Sequence, residues 1–438
     1  MSSMLLRRLA LLAAPLLAST VACSVAPSED AASAESADTG WLGDTSYELG
    51  GTIKATVEQK AEGEWAELAT NDALQVSLVD SQWKFAKNRL KKAGYDLNQL
   101  ADTVKVTSKV TTDGVVKLTY EAKVDLLHEL GPSAEVPAIE NVAPRKIALK
   151  LPVAPIGAYA LGRGKCADTS DGSPDGDRNF FYYFDPDASG CDLPMVSVEL
   201  ELTEVYERKI VYPEYDQLLA DDLGDGKKGF RAALVPAEGD NDALSRFDAH
   251  KEMLEGVLRL TGTRVLDDKA LRFTYTKGNT AIVIDLFDPT KTELTPQFRS
   301  ALSGYQLVFF NGHSVYGTRD LLEEKNAFSS KYQIIMLHAC RTYPYYVRQI
   351  FRAKANAQDP IGWANADVVA SGESSYPTDS PRTLQPLLEG LLTGMASADG
   401  GTGAGAPSWN GIVKKMNDRT SGIMYGVAGV RTNAWKPR

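Results

Sequence analysis

Basic charge is in short supply: 47 Lys and Arg face 57 Asp and Glu, a formal net charge of −10. The general basic footprint that nucleic-acid binding calls for is therefore missing. Long apolar runs are also missing. The one such run, residues 9–22, is too short and too near the N-terminus to span a bilayer, and no later stretch approaches the roughly 20 apolar residues of a membrane helix. Cysteine is sparse, with 4 in 438 residues, so each thiol can be weighed singly. What remains is 43% hydrophobic, 24% charged and 8% aromatic, the composition of a folded globular chain and not of a disordered or fibrous one. At this length two or three domains are expected.

The first 22 residues have the three-part layout of a secretory signal: Arg7 and Arg8, an apolar core over 9–17, then the small residues Ala18, Ser19 and Thr20. Thr20, Val21, Ala22 and Cys23 resemble the cleavage box of bacterial lipoproteins, in which the cysteine becomes the acylated first residue, although Thr20 stands where Leu is usual. The expectation is an exported protein tethered to the cell envelope through lipid on Cys23, with ordinary secretion as the alternative. Residues 23–40 are nearly all small and polar, too poor in apolar area to offset their own ordering entropy, and read as a flexible tether.

With Cys23 lipidated, three cysteines remain in an oxidising compartment. Cys166 and Cys191 flank one polar loop, and a bridge between them would gain about 3 kcal/mol by restricting the unfolded chain. That pairing leaves Cys340 free, either as a reactive thiol or as a buried inert one. Inside the loop, Asp168, Asp171, Asp175 and Asp177 lack the spacing of an EF-hand, and a solvated loop is the expected reading over a Ca²⁺ site.

Residues 41–224 carry mainly strand signals and read as a β-rich α+β domain. Val104, Val106, Ser108 and Val110 alternate up to Asp113-Gly114, and Val116, Leu118, Tyr120, Ala122 and Val124 alternate beyond it, which predicts a hairpin. Residues 195–205 alternate again. One helix is expected between, with Ser81 as N-cap, Trp83, Ala86 and Leu90 on one face, and Gly94 as terminator. Residues 230–438 change character. Short apolar runs at 232–235, 281–287, 307–310, 334–337 and 368–370 alternate with helical stripes: Met253, Leu254, Val257 and Leu258; Leu294, Phe298, Ala301 and Leu302 behind Thr295-Pro296 as cap and first position; and Leu384, Leu387, Leu388, Leu391 and Leu392 between Ser380-Pro381 and Gly394. Such alternation implies an α/β fold, a mostly parallel sheet covered by helices on both faces.

In sheets of that kind the reacting groups collect beyond the carboxyl ends of the strands. One run ends in Asn311-Gly312-His313-Ser314, the next in His338-Ala339-Cys340-Arg341, a third in Ser371-Gly372-Glu373-Ser374. If the first two strands are neighbours, His313 and Cys340 project from one rim. Gly312-His313 and Ala339-Cys340 resemble the Gly-His and Ala-Cys strand ends of caspase, gingipain and legumain type cysteine peptidases, the caspase-hemoglobinase fold, and of its CHAT relatives. The Val-Val-Ala-Ser strand at 368–371, with the Leu-rich helix after it, is similar to the segment beyond the nucleophile in CHAT sequences. The resemblance covers 230–438, about half the chain. Two features depart from the family: Ser314 replaces the Gly that commonly follows the His, and the His-to-Cys interval is short, with room for one brief helix around 321–328.

The resemblance implies a cysteine endopeptidase acting on a peptide or protein substrate, with no metal and no cofactor. Cys340 would attack the carbonyl, His313 would serve as general acid and base, and the backbone N–H groups of Cys340 and Ser314 would hold the oxyanion. Glu373 and Asp379 would line an acidic pocket for Arg or Lys, or else lie in a solvated loop with a helix-capping acid. Tyr343, Tyr345 and Tyr346 either line a groove or pack. His338 shares a strand face with Cys340, so His313, His338 and Cys340 form a rival zinc-ligand set, although the spacing matches no familiar zinc motif. His128 and His250 have no such partners. The rival to the enzyme is a non-catalytic envelope protein that keeps the caspase-like fold as a binding module.

Overall fold

Period-two alternation builds the first sheet. The computed structural model describes residues 40–99, 103–130, 135–170, 179–222, 228–236, 243–277, 280–291, 293–314, 320–420 and 423–438. The first strands are β1 (Trp41–Leu42) and β2 (Ser46–Lys60), followed by helix α1 (Asp72–Lys92), then β3 (Tyr95–Gln99), β4 (Lys105–Thr112) and β5 (Val115–Glu129). Next come β6 (Lys146–Pro152), helices α2 (Pro155–Gly162) and α3 (Phe180–Tyr183), and β7 (Met195–Val205). An antiparallel sheet runs β3-β5-β2-β7-β6, with β4 beside β5. On β5 the side chains of Val116, Leu118, Tyr120, Ala122 and Val124 are buried while Lys117, Glu121 and Lys123 are exposed, the pattern of a sheet with one wet face. The expected hairpin is present. Asp113 and Gly114 take left-handed φ values of 50° and 75°, the pair of conformations a two-residue type I′ turn needs.

α1 starts earlier than the Ser81 cap would have it. Asn71 is the N-cap, its side-chain oxygen accepting from the Leu74 N–H at 3.2 Å. Ser81 sits mid-helix and its hydroxyl donates to the Ser77 carbonyl at 2.9 Å, the back-bond that lets Ser survive inside a helix. The apolar face simply continues back through Leu78 and Val79. Gly94, at φ 86°, follows the last turn as expected. Cys166 and Cys191 form the expected disulfide.

The second sheet supplies the α/β character. Its elements are helix α4 (Tyr215–Leu218), β8 (Asp221–Asp222), β9 (Lys228–Pro236), α5 (Ala243–Glu252), β10 (Gly262–Val265), β11 (Ala270–Lys277), β12 (Thr280–Phe287), α6 (Leu294–Gly304) and β13 (Leu307–Asn311). They continue with β14 (Gln333–His338), α7 (Thr342–Lys354), β15 (Ala366–Ser371), α8 (Ser380–Asp399), α9 (Trp409–Asn417) and β16 (Tyr425–Ala428). The strand order is β1-β16-β15-β14-β13-β9-β12-β11-β10, with β8 beside β9. The run β12-β9-β13-β14-β15 is parallel throughout and β16 joins it antiparallel. All five apolar runs of the sequence are strands of this parallel core.

Alternate residues of each core strand feed two hydrophobic cores. Val308, Phe310, Ile335 and Leu337 pack with α6, α7 and the first sheet, whereas Leu307, Phe309, Ile334 and Met336 pack with α5, α8 and α9. Helices therefore cover both faces. β1, the first strand of the described residues, pairs with β16 at the edge of this second sheet, and α7 packs against both β3 and β15.

Three local expectations are corrected. α8 runs through Gly394 to Asp399, because a Cβ at 394 would collide with the Tyr215 ring and glycine is there for close packing and not as a stop. The helix near 253–258 begins at Ala243 and ends in a π-helical turn over Met253–Val257. Its buried face is Arg246, Phe247, His250, Met253 and Leu254, while Val257 is 49% exposed. Glu293 holds the N-cap position of α6, so Thr295 and Pro296 fall inside its first turn. The brief helix expected around 321–328 is present as two short 3₁₀ helices, Asp320–Glu323 and Lys325–Ala327.

Candidate active site

The parallel register brings His313 and Cys340 to one rim. β13 and β14 are hydrogen-bonded neighbours, and Asn311 is paired with His338. Each candidate lies two residues beyond its member of that pair, and the Gly312 N–H donates to the His338 carbonyl at 3.2 Å, extending the pairing past the strand ends. Adjacent strands lie about 4.8 Å apart, so the two turns leave the sheet side by side. The His313 side chain is exposed and Cys340 is half-buried. Cys340 is the free cysteine among the described residues, its thiol directed to the Ser375 carbonyl at 3.9 Å. Ser314 is anchored from below: the Tyr346 hydroxyl, on α7, donates to its carbonyl oxygen.

Cys340 is followed by Arg341 in the left-handed region, φ 50°, and then by the first turn of α7. That tight turn sets the thiol beside a helix N-terminus, where N–H groups lacking intrahelical partners gather. The Arg341 N–H donates to the Glu373 carbonyl at 2.8 Å, and the Ser371 N–H to the Thr342 hydroxyl at 3.0 Å. The turn after β14 is thus clamped to the turn after β15.

Two buried histidines lie beneath the rim. His338 Nε2 contacts the Tyr376 carbonyl at 2.9 Å, which can only accept, so Nε2 carries the proton and Nδ1 accepts from the Tyr425 hydroxyl at 2.6 Å. His250 Nδ1–H likewise donates to the Arg246 carbonyl at 2.6 Å. Its Nε2 accepts from the Ser380 hydroxyl at 2.8 Å, and that hydroxyl in turn accepts from the Asn311 amide at 2.7 Å. Burial pushes both imidazoles down to about 4, with the Arg246 charge acting in the same sense. Both are neutral struts. His250 ties α5 to α8 and, through Ser380, to β13, and His338 ties β14 to β16 and the loop before α8, under the catalytic candidates. No local motif announces them, because the Ser380, Tyr376 and Tyr425 partners lie far along the chain.

The partners of His250 are a backbone carbonyl and a serine hydroxyl, not a thiol or a metal-ligand set. His338 has both ring nitrogens engaged by protein, so the zinc set of His313, His338 and Cys340 loses a ligand; among the described residues no group of three His, Cys, Asp or Glu is arranged to hold a metal. Tyr343, Tyr345 and Tyr346 are buried and pack. Trp41 meets Tyr343 edge-on at 4.6 Å, and Arg341 lies over the Tyr345 and Tyr182 rings at 5.5 Å each. His128 stacks on Tyr95 and contacts the Gly94 carbonyl at 2.8 Å, far along the chain from the rim.

Glu373 and Asp379 sit on the loop between β15 and α8. Asp379 is buried at the N-cap position of α8, where its side chain makes no capping hydrogen bond. Glu373 is ion-paired with Lys91 of α1, and the same ammonium is 3.4 Å from Asp96 and 3.7 Å from Glu129. Its Lys91 and Glu129 hydrogen bonds outweigh burial and hold Glu373 below the usual carboxylate range, while the shared proton raises Glu129 to about 7. Helix α1 thus neutralises the acid proposed for the substrate pocket. Asp168 is paired with Lys92 at 2.5 Å; Cys23, Asp171, Asp175 and Asp177 lie outside the described residues. Compared with known proteins, the chain matches no family model and no curated relative.

Proposed function

We propose that the chain is an exported, lipid-anchored cysteine endopeptidase of the caspase-like class, with Cys340 as nucleophile and His313 as general acid and base. The observation that carries this reading is the paired register of Asn311 and His338, which sends an imidazole and a free thiol off adjoining strand ends at equal offset. The parallel sheet with helices on both faces, and the resemblance of the two strand ends, support it.

In this scheme the Cys340 sulfur forms a bond to the carbonyl carbon of the substrate, and the carbonyl oxygen takes the charge under the N–H groups of Ser314 and Cys340. His313 carries the thiol proton to the amine as the C–N bond breaks. Water then attacks the thioester with His313 as base, and the acid product leaves Cys340 as a thiol again. The Tyr346 bond to Ser314 and the Arg341 bond to Glu373 hold the two turns in place. Because Lys91 answers Glu373, the pocket at this loop offers less attraction for a cationic residue than the acidic side chains alone would suggest.

The test is the rate at which iodoacetamide alkylates Cys340, followed by mass spectrometry across neutral pH. The expected result is labelling faster than a free model thiol, slowed about tenfold or more in His313→Ala and abolished in Cys340→Ala. Labelling no faster than the model thiol and indifferent to His313→Ala overturns the peptidase and leaves a binding module of the envelope.

A further inference from the structure

We infer that the cleft between α1 and α7 is a binding site for a small phosphate-bearing solute, separate from the rim that carries Cys340. The cleft encloses about 360 Å³ and is lined by Lys84 and Lys87 of α1, Arg348 and Arg352 of α7, and Lys325 of the turn before β14, with Asp80 among them. A chain with a net charge of −10 has drawn five cationic side chains to one concavity. Asp80 is shared by both guanidinium groups: it is ion-paired with Arg352 and lies 3.6 Å from Arg348. One carboxylate against five cations leaves the lining net positive.

The cluster is partly withdrawn from water, which makes its self-repulsion costly in the empty state. The Arg348 side chain is 14% exposed. Lys87 is buried, its ammonium donating to the Pro344 carbonyl and lying 5.0 Å from the Tyr345 ring centre. Burial first, then the neighbouring charges of Lys84 and Arg348, push Lys87 down to about 7. An entering anion reverses that penalty and recharges the lysine.

Phosphate is the anion that fits this set. Two guanidinium groups share one carboxylate, and guanidinium N–H forks suit phosphate oxygens while flanking ammonium groups add point charge. A phosphate monoester brings about −1.5 to −2 charges at neutral pH, which offsets part of the excess. The volume is at the lower end of small-molecule sites, roughly 300–1,000 Å³, and exceeds what bare phosphate fills, so the solute carries a substituent. The inference does not rest on Cys340 being a nucleophile.

The experiment is a thermal-unfolding titration of the whole chain with pyrophosphate, at constant ionic strength near 0.15 M so that screening is fixed. A saturable rise in Tm is expected, with apparent affinity falling at least tenfold in Lys84→Gln and in Arg352→Gln. Lys105→Gln, on the exposed strand β4, should leave it unchanged. Both cleft variants alter side chains that are not fully buried, so either serves if the other misfolds. A linear, unsaturated response, or equal response in the cleft variants, overturns the site. Citrate binding as tightly as pyrophosphate overturns the assignment to phosphate.

Discussion

At the scale of single residues, the two buried histidines govern behaviour in acid. Each has a folded-state value near 4 against about 6.5 when unfolded, so between those limits the unfolded chain holds more protons than the folded one. Stability is then full above about pH 6.5 and falls as the pH drops towards 4. The expected outcome is a loss of a few kcal/mol over that window in urea unfolding, since a tenfold change in proton affinity corresponds to about 1.4 kcal/mol. His338→Gln, whose amide keeps a donor and an acceptor for Tyr376 and Tyr425, should unfold about 1–2 kcal/mol more easily at neutral pH yet show a shallower acid slope. An unchanged slope would show that the His338 proton balance is not what acid disturbs.

At the scale of elements, α8 shows how packing overrides a local stop signal. Glycine after a leucine stripe is an ordinary helix stop, but Gly394 lies against Tyr215, whose hydroxyl donates to the Pro407 carbonyl at 2.8 Å. The helix passes on because the ring of α4 occupies the space where a side chain would be. Gly394→Ala improves helix propensity by about 1 kcal/mol and still should destabilise by about 1–3 kcal/mol, because the added methyl displaces a fully buried ring. Chemical denaturation decides the sign. A stabilised variant would mean that α4 yields freely. The same contest between local pattern and packing explains Ser81, where a good capping residue is overruled by an apolar face that runs on past it.

At the scale of the molecule, the two sheets are joined by more than apolar contact. Arg431, near the C-terminus, is 3.5 Å from Glu48 of β2 and 3.8 Å from Asp125 of β5, and its guanidinium lies between the rings of Tyr206 and Trp363 at 4.6 and 4.9 Å. Burial and the adjacent Glu48 raise Asp125 to about 8 even with that cation present. Arg431→Met leaves two buried acids without their cation, and a cost of about 3–5 kcal/mol is expected. Urea unfolding should show it as a lowered midpoint. A midpoint unmoved by the substitution would show that the sheets hold without this clamp.

Much of the fold was legible because burial imposes a period on the chain: alternation marked the hairpin at Asp113-Gly114, and unbroken apolar runs marked the strands that water never reaches. The Cys166–Cys191 bridge was legible from a polar loop that needed closing. The sequence also showed that histidine and cysteine end successive runs, since strand ends are local events. Only the tertiary structure decided that β13 and β14 are neighbours in register, that His250 and His338 are neutral struts beneath the rim, that Lys91 meets Glu373, and that five cations of α1, α7 and an intervening turn share one cleft. These depend on residues tens to hundreds of positions apart, and a one-dimensional pattern carries no information about which faces meet.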